Sequence, residues 1–219
     1  MRLLLVNANT DAAVTRRLAK VARAAASAAT RIVPVTAARG VRLIQSARDH
    51  EIARRACHEA VAQAEDGCDA VLVAVSLDTA VEELAQRHRK PVIGMTGAAL
   101  AAARGRGGAV GVITIGETMR SLFLQRFAAE RLDPALVHAV ELTPAAALQN
   151  RDLAAELIAH GVERLAEQGA DVAVPVGATV CGLASVVARK APIPVLESIA
   201  CGVRLAERLA LESANRARC

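Results

Sequence analysis

The chain has 219 residues, 53% of them hydrophobic and only 1% aromatic, with a formal net charge of +5. That apolar content excludes a disordered chain, and with Phe123 and Phe127 as the only aromatics the core must be Ala, Val, Leu and Ile. The excess charge is mostly Arg scattered through helical stretches beside Glu and Asp, without the aromatic interleaving that stacks bases, so no nucleic-acid partner is expected.

In chain order, Arg2–Val6 reads as a strand that ends in Asn7-Ala8-Asn9-Thr10, followed by a helix over Asp11–Ala26. Arg31–Val35 is a second strand, then come a loop around Gly40 and a helix over about Asp49–Glu65. Asp69–Val75 is a third strand and leads through Ser76-Leu77-Asp78-Thr79 into a helix; Pro91–Gly94 is a fourth, before a helix over Gly97–Arg104. The pattern restarts with the strand Ala109–Thr114, a helix over Glu117–Arg131 and the strand Leu136–Leu142. A helix over Asp152–Gln168, the strand Asp171–Val176, a further helix, the strand Ile193–Leu196 and a last helix to about Glu212 complete it. Such β/α alternation predicts parallel sheets flanked by helices.

An internal repeat sharpens the prediction. Gly67-Cys68-Asp69 before one strand matches Gly169-Ala170-Asp171 before another, and Lys90-Pro91-Val92 matches Ile193-Pro194-Val195. The fold class expected is therefore α/β, with two similar Rossmann-like lobes related by a pseudo-twofold axis. Residues 1–95 plus 197–219 would form one lobe, and 96–196 the other. Ligands bind beyond the carboxyl ends of parallel strands. The loops at Asn7–Thr10, Ser76–Thr79, Thr114–Glu117 and Gly177–Cys181 should therefore meet in an inter-lobe cleft.

Gly105-Arg106-Gly107-Gly108 precedes a strand rather than following one, so it reads as a turn between the halves and not as a nucleotide loop. His50, His58, His88 and His160 fall on charged helical stretches and are expected at the surface, while His138 lies in a strand; no spacing points to a metal. The five cysteines have no paired spacing, and no apolar stretch is long enough to span a bilayer. A cytoplasmic protein without disulfides or a membrane partner is expected. Its Ala-rich helices suit a homo-oligomer.

Asn7-Ala8-Asn9-Thr10 resembles the Asn-Pro-Asn-Thr opening of the aspartate/glutamate/hydantoin racemase superfamily, the hydantoin racemase branch in particular. Gly40-Val-Arg-Leu-Ile44-Gln45 is similar to that branch's Gly-Pro-x-x-Ile-Glu, and Pro91-Val-Ile-Gly94-Met-Thr-Gly97-Ala98-Ala99 to its Pro-Val-x-Gly-x-x-Glu-Ala-Ala. Ala74-Val75-Ser76-Leu77-Asp78-Thr79 resembles Ala-Cys-Phe-x-Asp-Pro/Thr, and Pro194-Val-Leu-Glu-Ser198 resembles Pro-Val-Ile-Asp-Gly. The resemblance implies a cofactor-independent enzyme that moves a proton at the carbon next to a carbonyl, on a small anionic or amide substrate. In that chemistry one cysteine takes the proton and a second returns one to the opposite face.

Both cysteine positions are substituted here. Val75 stands three residues before Asp78 where the first belongs, and Ala178 stands in Gly177-Ala178-Thr179 where the second belongs. The repeat supports this register, because Val75 and Ala178 lie equally far ahead of Pro91 and Pro194. Gly97 replaces the family's Glu. The candidate replacements are Cys181, expected at a helix N-terminus, and Asp78, as base or as cap of the next helix. Asn7, Asn9, Ser76, Thr114 and Thr179 are the candidate substrate contacts. Three readings follow: an isomerase with altered catalytic groups, a lyase resembling the arylmalonate decarboxylases with a single thiol, and a non-catalytic small-acid or amide binder.

Overall fold

The computed structural model describes residues 1–129 and 136–216. Apolar strands alternate with amphipathic helices throughout. In the first half these are β1 (Arg2–Asn7), α1 (Ala12–Ala25), β2 (Arg31–Thr36), α2 (Ala47–Ala64), β3 (Ala70–Val73), α3 (Val81–Arg87), β4 (Val92–Gly94) and α4 (Met95–Arg104). The second half supplies β5 (Val110–Ile115), α5 (Gly116–Ala129), β6 (Leu136–Val140), α6 (Pro144–Gln149), α7 (Arg151–Glu167), β7 (Val172–Pro175), α8 (Ala184–Val187) and α9 (Ser198–Arg216).

The strands form two parallel sheets, ordered β2-β1-β3-β4 and β6-β5-β7. The halves correspond, with β1, β2 and β3 matching β5, β6 and β7. The counterpart of β4 shrinks to one bridge between Ala173 and Val195, although the sequence predicts a strand over Ile193–Leu196. Pro192 and Pro194 explain the loss, because neither has an N–H to give to a ladder. The repeated Gly-x-Asp has one job in both halves. Asp69 accepts from the Arg2 amide at 2.6 Å, and Asp171 from the Ala109 amide at 2.7 Å, so each carboxylate pins the start of its sheet's central strand. Gly67 and Gly169, two residues earlier, have φ of +67° and +92°, a turn that favours glycine.

Helix starts follow capping chemistry. Asp11 accepts from the Ala13 and Val14 amides at the head of α1, and Ser46 from Asp49 at the head of α2. The predicted helix Glu117–Arg131 is observed as α5; its last two residues lie outside the described ones. The short helix α6 was not expected from the sequence, although Thr143 caps it and Pro144 opens it in the ordinary way.

A core cluster joins the halves: Leu3, Leu5 and Leu72 of one sheet and Val112 and Val174 of the other bury against α1, α4, α5 and α9. Helices α4 and α9 are small-residue helices and pack closely on each other and on the sheets. Leu72 already lies where a Cβ on Gly202 would meet it at 2.6 Å, so α9 sits nearly flush with β3. The outer faces carry separate clusters under α2 and α7. Among the described residues no helix is long and apolar enough to cross a membrane. The carboxyl ends of β1, β3, β5 and β7 deliver their loops to one place.

Candidate functional site

That place is a narrow cleft with a cavity volume of about 40 Å³, partly open to solvent. Asn9, Ser76, Thr114 and Thr179 line it, Thr114 from the end of β5 and the others from the loops after β1, β3 and β7, together with apolar residues that include Ile44 and Met119. Val75 and Ala178 line it as well. The repeat thus carries the two substituted positions into the same cleft.

Asn7 is not in the lining. It is buried behind Asn9, where its amide donates to Asn9 Oδ1 and Thr15 Oγ1, both at 2.9 Å, while its Oδ1 accepts from the Asn9 backbone at 3.2 Å. Asn7, expected as a substrate contact, thus stands behind the lining with its hydrogen bonds spent on holding Asn9. Asn9 Oδ1 also accepts from the Asp11 amide at 2.9 Å, which fixes the side-chain orientation and leaves Nδ2 as its spare donor. No side-chain hydrogen bond is made by Ser76, Thr114 or Thr179 among the described residues. The cleft thus presents one amide donor and three hydroxyls with unspent capacity. None of these side chains titrates near neutrality.

Neither candidate catalyst reaches the lining. Asp78 has φ +49° and turns its carboxylate away, towards the head of α4. There it accepts from the Thr96 amide at 2.9 Å, the Gly97 amide at 2.6 Å and the Arg126 guanidinium at 3.3 Å. It caps α4, not the helix that directly follows it, because Gly94 and Gly97 leave it room. A Cβ on Gly94 would come within 2.2 Å of the carboxylate carbon. Burial pushes the Asp78 carboxyl up, against the pull of Arg126 and the two amides. The arrangement is structural, and Asp78 is not among the residues that line the cleft.

Cys181, within the Gly177–Gly182 loop, lines a different cavity. The helix expected to begin there starts only at Ala184 and has four residues, so no helix terminus stabilises a thiolate. Burial raises the Cys181 pKa well above the ordinary thiol range, and the neighbouring Glu197 carboxyl, to which the thiol hydrogen-bonds, adds to the rise. The thiol stays protonated at neutral pH. Cys201 is also buried and pushed up by burial.

Several residues around the site were not legible in the sequence. Arg151, at the head of α7, donates to the Thr179 carbonyl and, at 2.7 Å, to the Cys181 carbonyl, and so holds the loop that carries Ala178 and Thr179. Glu197 accepts from the Gly182 amide at 2.9 Å at the other end of that loop. Both reach across more than a dozen residues of sequence, and no local spacing reports such a contact.

His50 was expected at the surface and is only 5% exposed, with Nδ1 at 2.7 Å from Thr79 Oγ1. Burial lowers its pKa to about 4. The folded protein therefore binds this proton less readily than the unfolded chain. The contribution to stability is whole above about pH 6.5 and is lost as pH falls towards 4, to a limit of about 3 kcal/mol. Urea unfolding at pH 7 and pH 4.5 should show a smaller acid loss in His50→Gln than in wild type; equal losses would contradict this. His138, on β6, is half-buried.

The Asp/Glu/Hydantoin racemase family model matches residues 3–206. Among solved structures, an allantoin racemase from Pseudomonas fluorescens superposes with a TM-score of 0.92 at 27% identity, covering 97% of this chain and 92% of its own. One from Klebsiella pneumoniae gives 0.89 at 26% identity, covering 97% and 89%. An arylmalonate decarboxylase shares the fold alone, with 15% identity and a TM-score of 0.67 over 96% and 92%. No curated protein matches.

Proposed function

This chain belongs to the Asp/Glu/Hydantoin racemase family of enzymes, and from that premise we propose that its cleft binds a small hydantoin-class cyclic amide and favours its enolate without the thiol pair. The observation that carries this is the convergence of Asn9, Ser76, Thr114 and Thr179, with hydrogen-bonding capacity unspent, around Val75 and Ala178. The ring of a 5-substituted hydantoin has two carbonyls and two N–H groups. An amide donor and three hydroxyls can satisfy these as donors and acceptors.

Donors aimed at a carbonyl oxygen stabilise the charge that gathers there when the adjacent C–H bond breaks. The C–H electron pair moves towards the carbonyl oxygen, water carries the proton away, and water returns one to the carbon. Solvent thus replaces the two cysteines as proton carrier. Exchange is then slower than with thiols, and the product is racemic because no residue guards either face. No cofactor is needed for this chemistry. A purely binding role is the second reading, favoured by the absence of a titrating side chain from the lining among the described residues. The single-thiol lyase loses its support, because Cys181 is not in the cleft.

Calorimetric titration with 5-substituted hydantoins, allantoin included, tests the site. Saturable one-to-one binding is expected, and Asn9→Ala or Thr114→Val should each weaken it roughly tenfold, the worth of one good hydrogen bond. Binding that ignores both substitutions would place the ligand elsewhere.

A further inference from the structure

The cavity behind the Gly177–Gly182 loop is lined by four cations and one carboxylate. It has a volume of about 540 Å³ and is walled by Arg17 and Lys20 of α1, Arg151 at the head of α7 and Arg204 of α9. None of the four makes a salt bridge with a carboxylate among the described residues. Arg17 Nη1 is buried without a hydrogen-bond partner. A buried guanidinium nitrogen left unpaired is costly.

Glu197 is the only carboxylate in the wall, and its oxygens are engaged by the Gly182 amide and the Cys181 thiol. It is not free to neutralise the cations. Burial and the charge of Arg17 together hold the Arg151 pKa below its ordinary value, so the cations repel one another as they stand. Arg151 is itself occupied by two loop carbonyls, which leaves Arg17, Lys20 and Arg204 as the available donors.

We propose that this cavity binds a small phosphate-class dianion, with Arg17, Lys20 and Arg204 as its ligands. Cations converging from two helices suit a compact tetrahedral group with oxygens in several directions. The volume leaves room for a small organic substituent, so free phosphate and a phosphomonoester share the chemistry. The site backs on the loop that presents Thr179 to the cleft, and Arg151 spans the two. Occupancy therefore bears on the cleft through the Arg151–loop hydrogen bonds, and cleft ligands bear on anion affinity in turn. The anion site itself does not depend on what the cleft binds.

Calorimetry at low salt and pH 7 with inorganic phosphate, glycerol phosphate and succinate tests it. Wild type should bind one phosphate-class anion saturably and succinate less well, and the tighter of the two phosphates identifies the form. Arg17→Gln/Arg204→Gln and the milder Lys20→Gln should weaken binding, the double variant at least tenfold, with circular dichroism melting to verify folding. The exposed Arg104→Gln serves as control and should change nothing. Absence of saturable binding, tighter binding of succinate, or an equal loss in Arg104→Gln would overturn the proposal.

Discussion

Val75→Cys combined with Ala178→Cys is expected to raise proton exchange and racemisation of a bound 5-substituted hydantoin by about 10²-fold or more over wild type. Positioned acid–base groups contribute roughly 10²–10⁴. Val75 and Ala178 line one cleft at equivalent points of the repeat, so the pair of thiols would stand where the family's chemistry places them. One cysteine as thiolate and a protonated partner across the carbon supply the base and the acid that the two faces need. Val75 is 2% exposed, and exchanging valine for the similarly sized cysteine costs little packing. Each single variant should accelerate exchange less than the pair, because one thiol cannot serve both faces. Proton NMR in deuterated buffer and polarimetry read the two quantities. A folded, ligand-binding double variant with wild-type rates would show that the two positions do not flank the reacting carbon.

Asp78→Ala should cost about 3–5 kcal/mol of stability, a loss on the scale seen when one partner of a buried ion pair is removed. The carboxylate answers three donors at once: the Thr96 and Gly97 amides at the head of α4 and Arg126 of α5. Removing it leaves two helix-terminal N–H groups and a guanidinium without that acceptor, and also takes away the tie between the strained Ser76–Ala80 turn and the second half of the chain. Asp78 at φ +49° and Ala80 at φ +67° hold conformations that L residues rarely adopt, and the ion pair offsets that strain. Asp78→Asn keeps one acceptor and should lose less. Urea unfolding of the three proteins checks the order; a loss below about 1 kcal/mol in Asp78→Ala would contradict the capping role.

The alternation of apolar strands and amphipathic helices, and the doubled Gly-x-Asp and Pro-Val segments, made the two-sheet arrangement legible before any coordinates. They also made the convergence of four loops legible, since strand order and ligand position follow from parallel topology. The direction of individual side chains was not. Asn7 and Asn9 are equivalent on paper, yet the hydrogen bonds of Asn7 run backwards to Thr15, while Asn9 faces the cleft. Asp78 looked like a base or a local cap. Its true partner is a helix eighteen residues later, reachable only because Gly94 and Gly97 lack side chains. Cys181 looked catalytic through an assumed helix start, and the chain delays that helix to Ala184. His50 looked exposed because its sequence neighbours are charged, but it faces inward from α2. In each case the deciding contact is long-range, and local pattern carries no record of it.

The most direct test is deuterium incorporation at C5 of a 5-substituted hydantoin, followed by proton NMR with wild type, Thr114→Val and Cys181→Ala. Saturable exchange above the buffer rate is expected, reduced about tenfold by Thr114→Val and unchanged by Cys181→Ala, because hydroxyl donors rather than a thiol stabilise the enolate. Exchange abolished by Cys181→Ala would contradict this account, as would a ligand that binds the cleft and never exchanges.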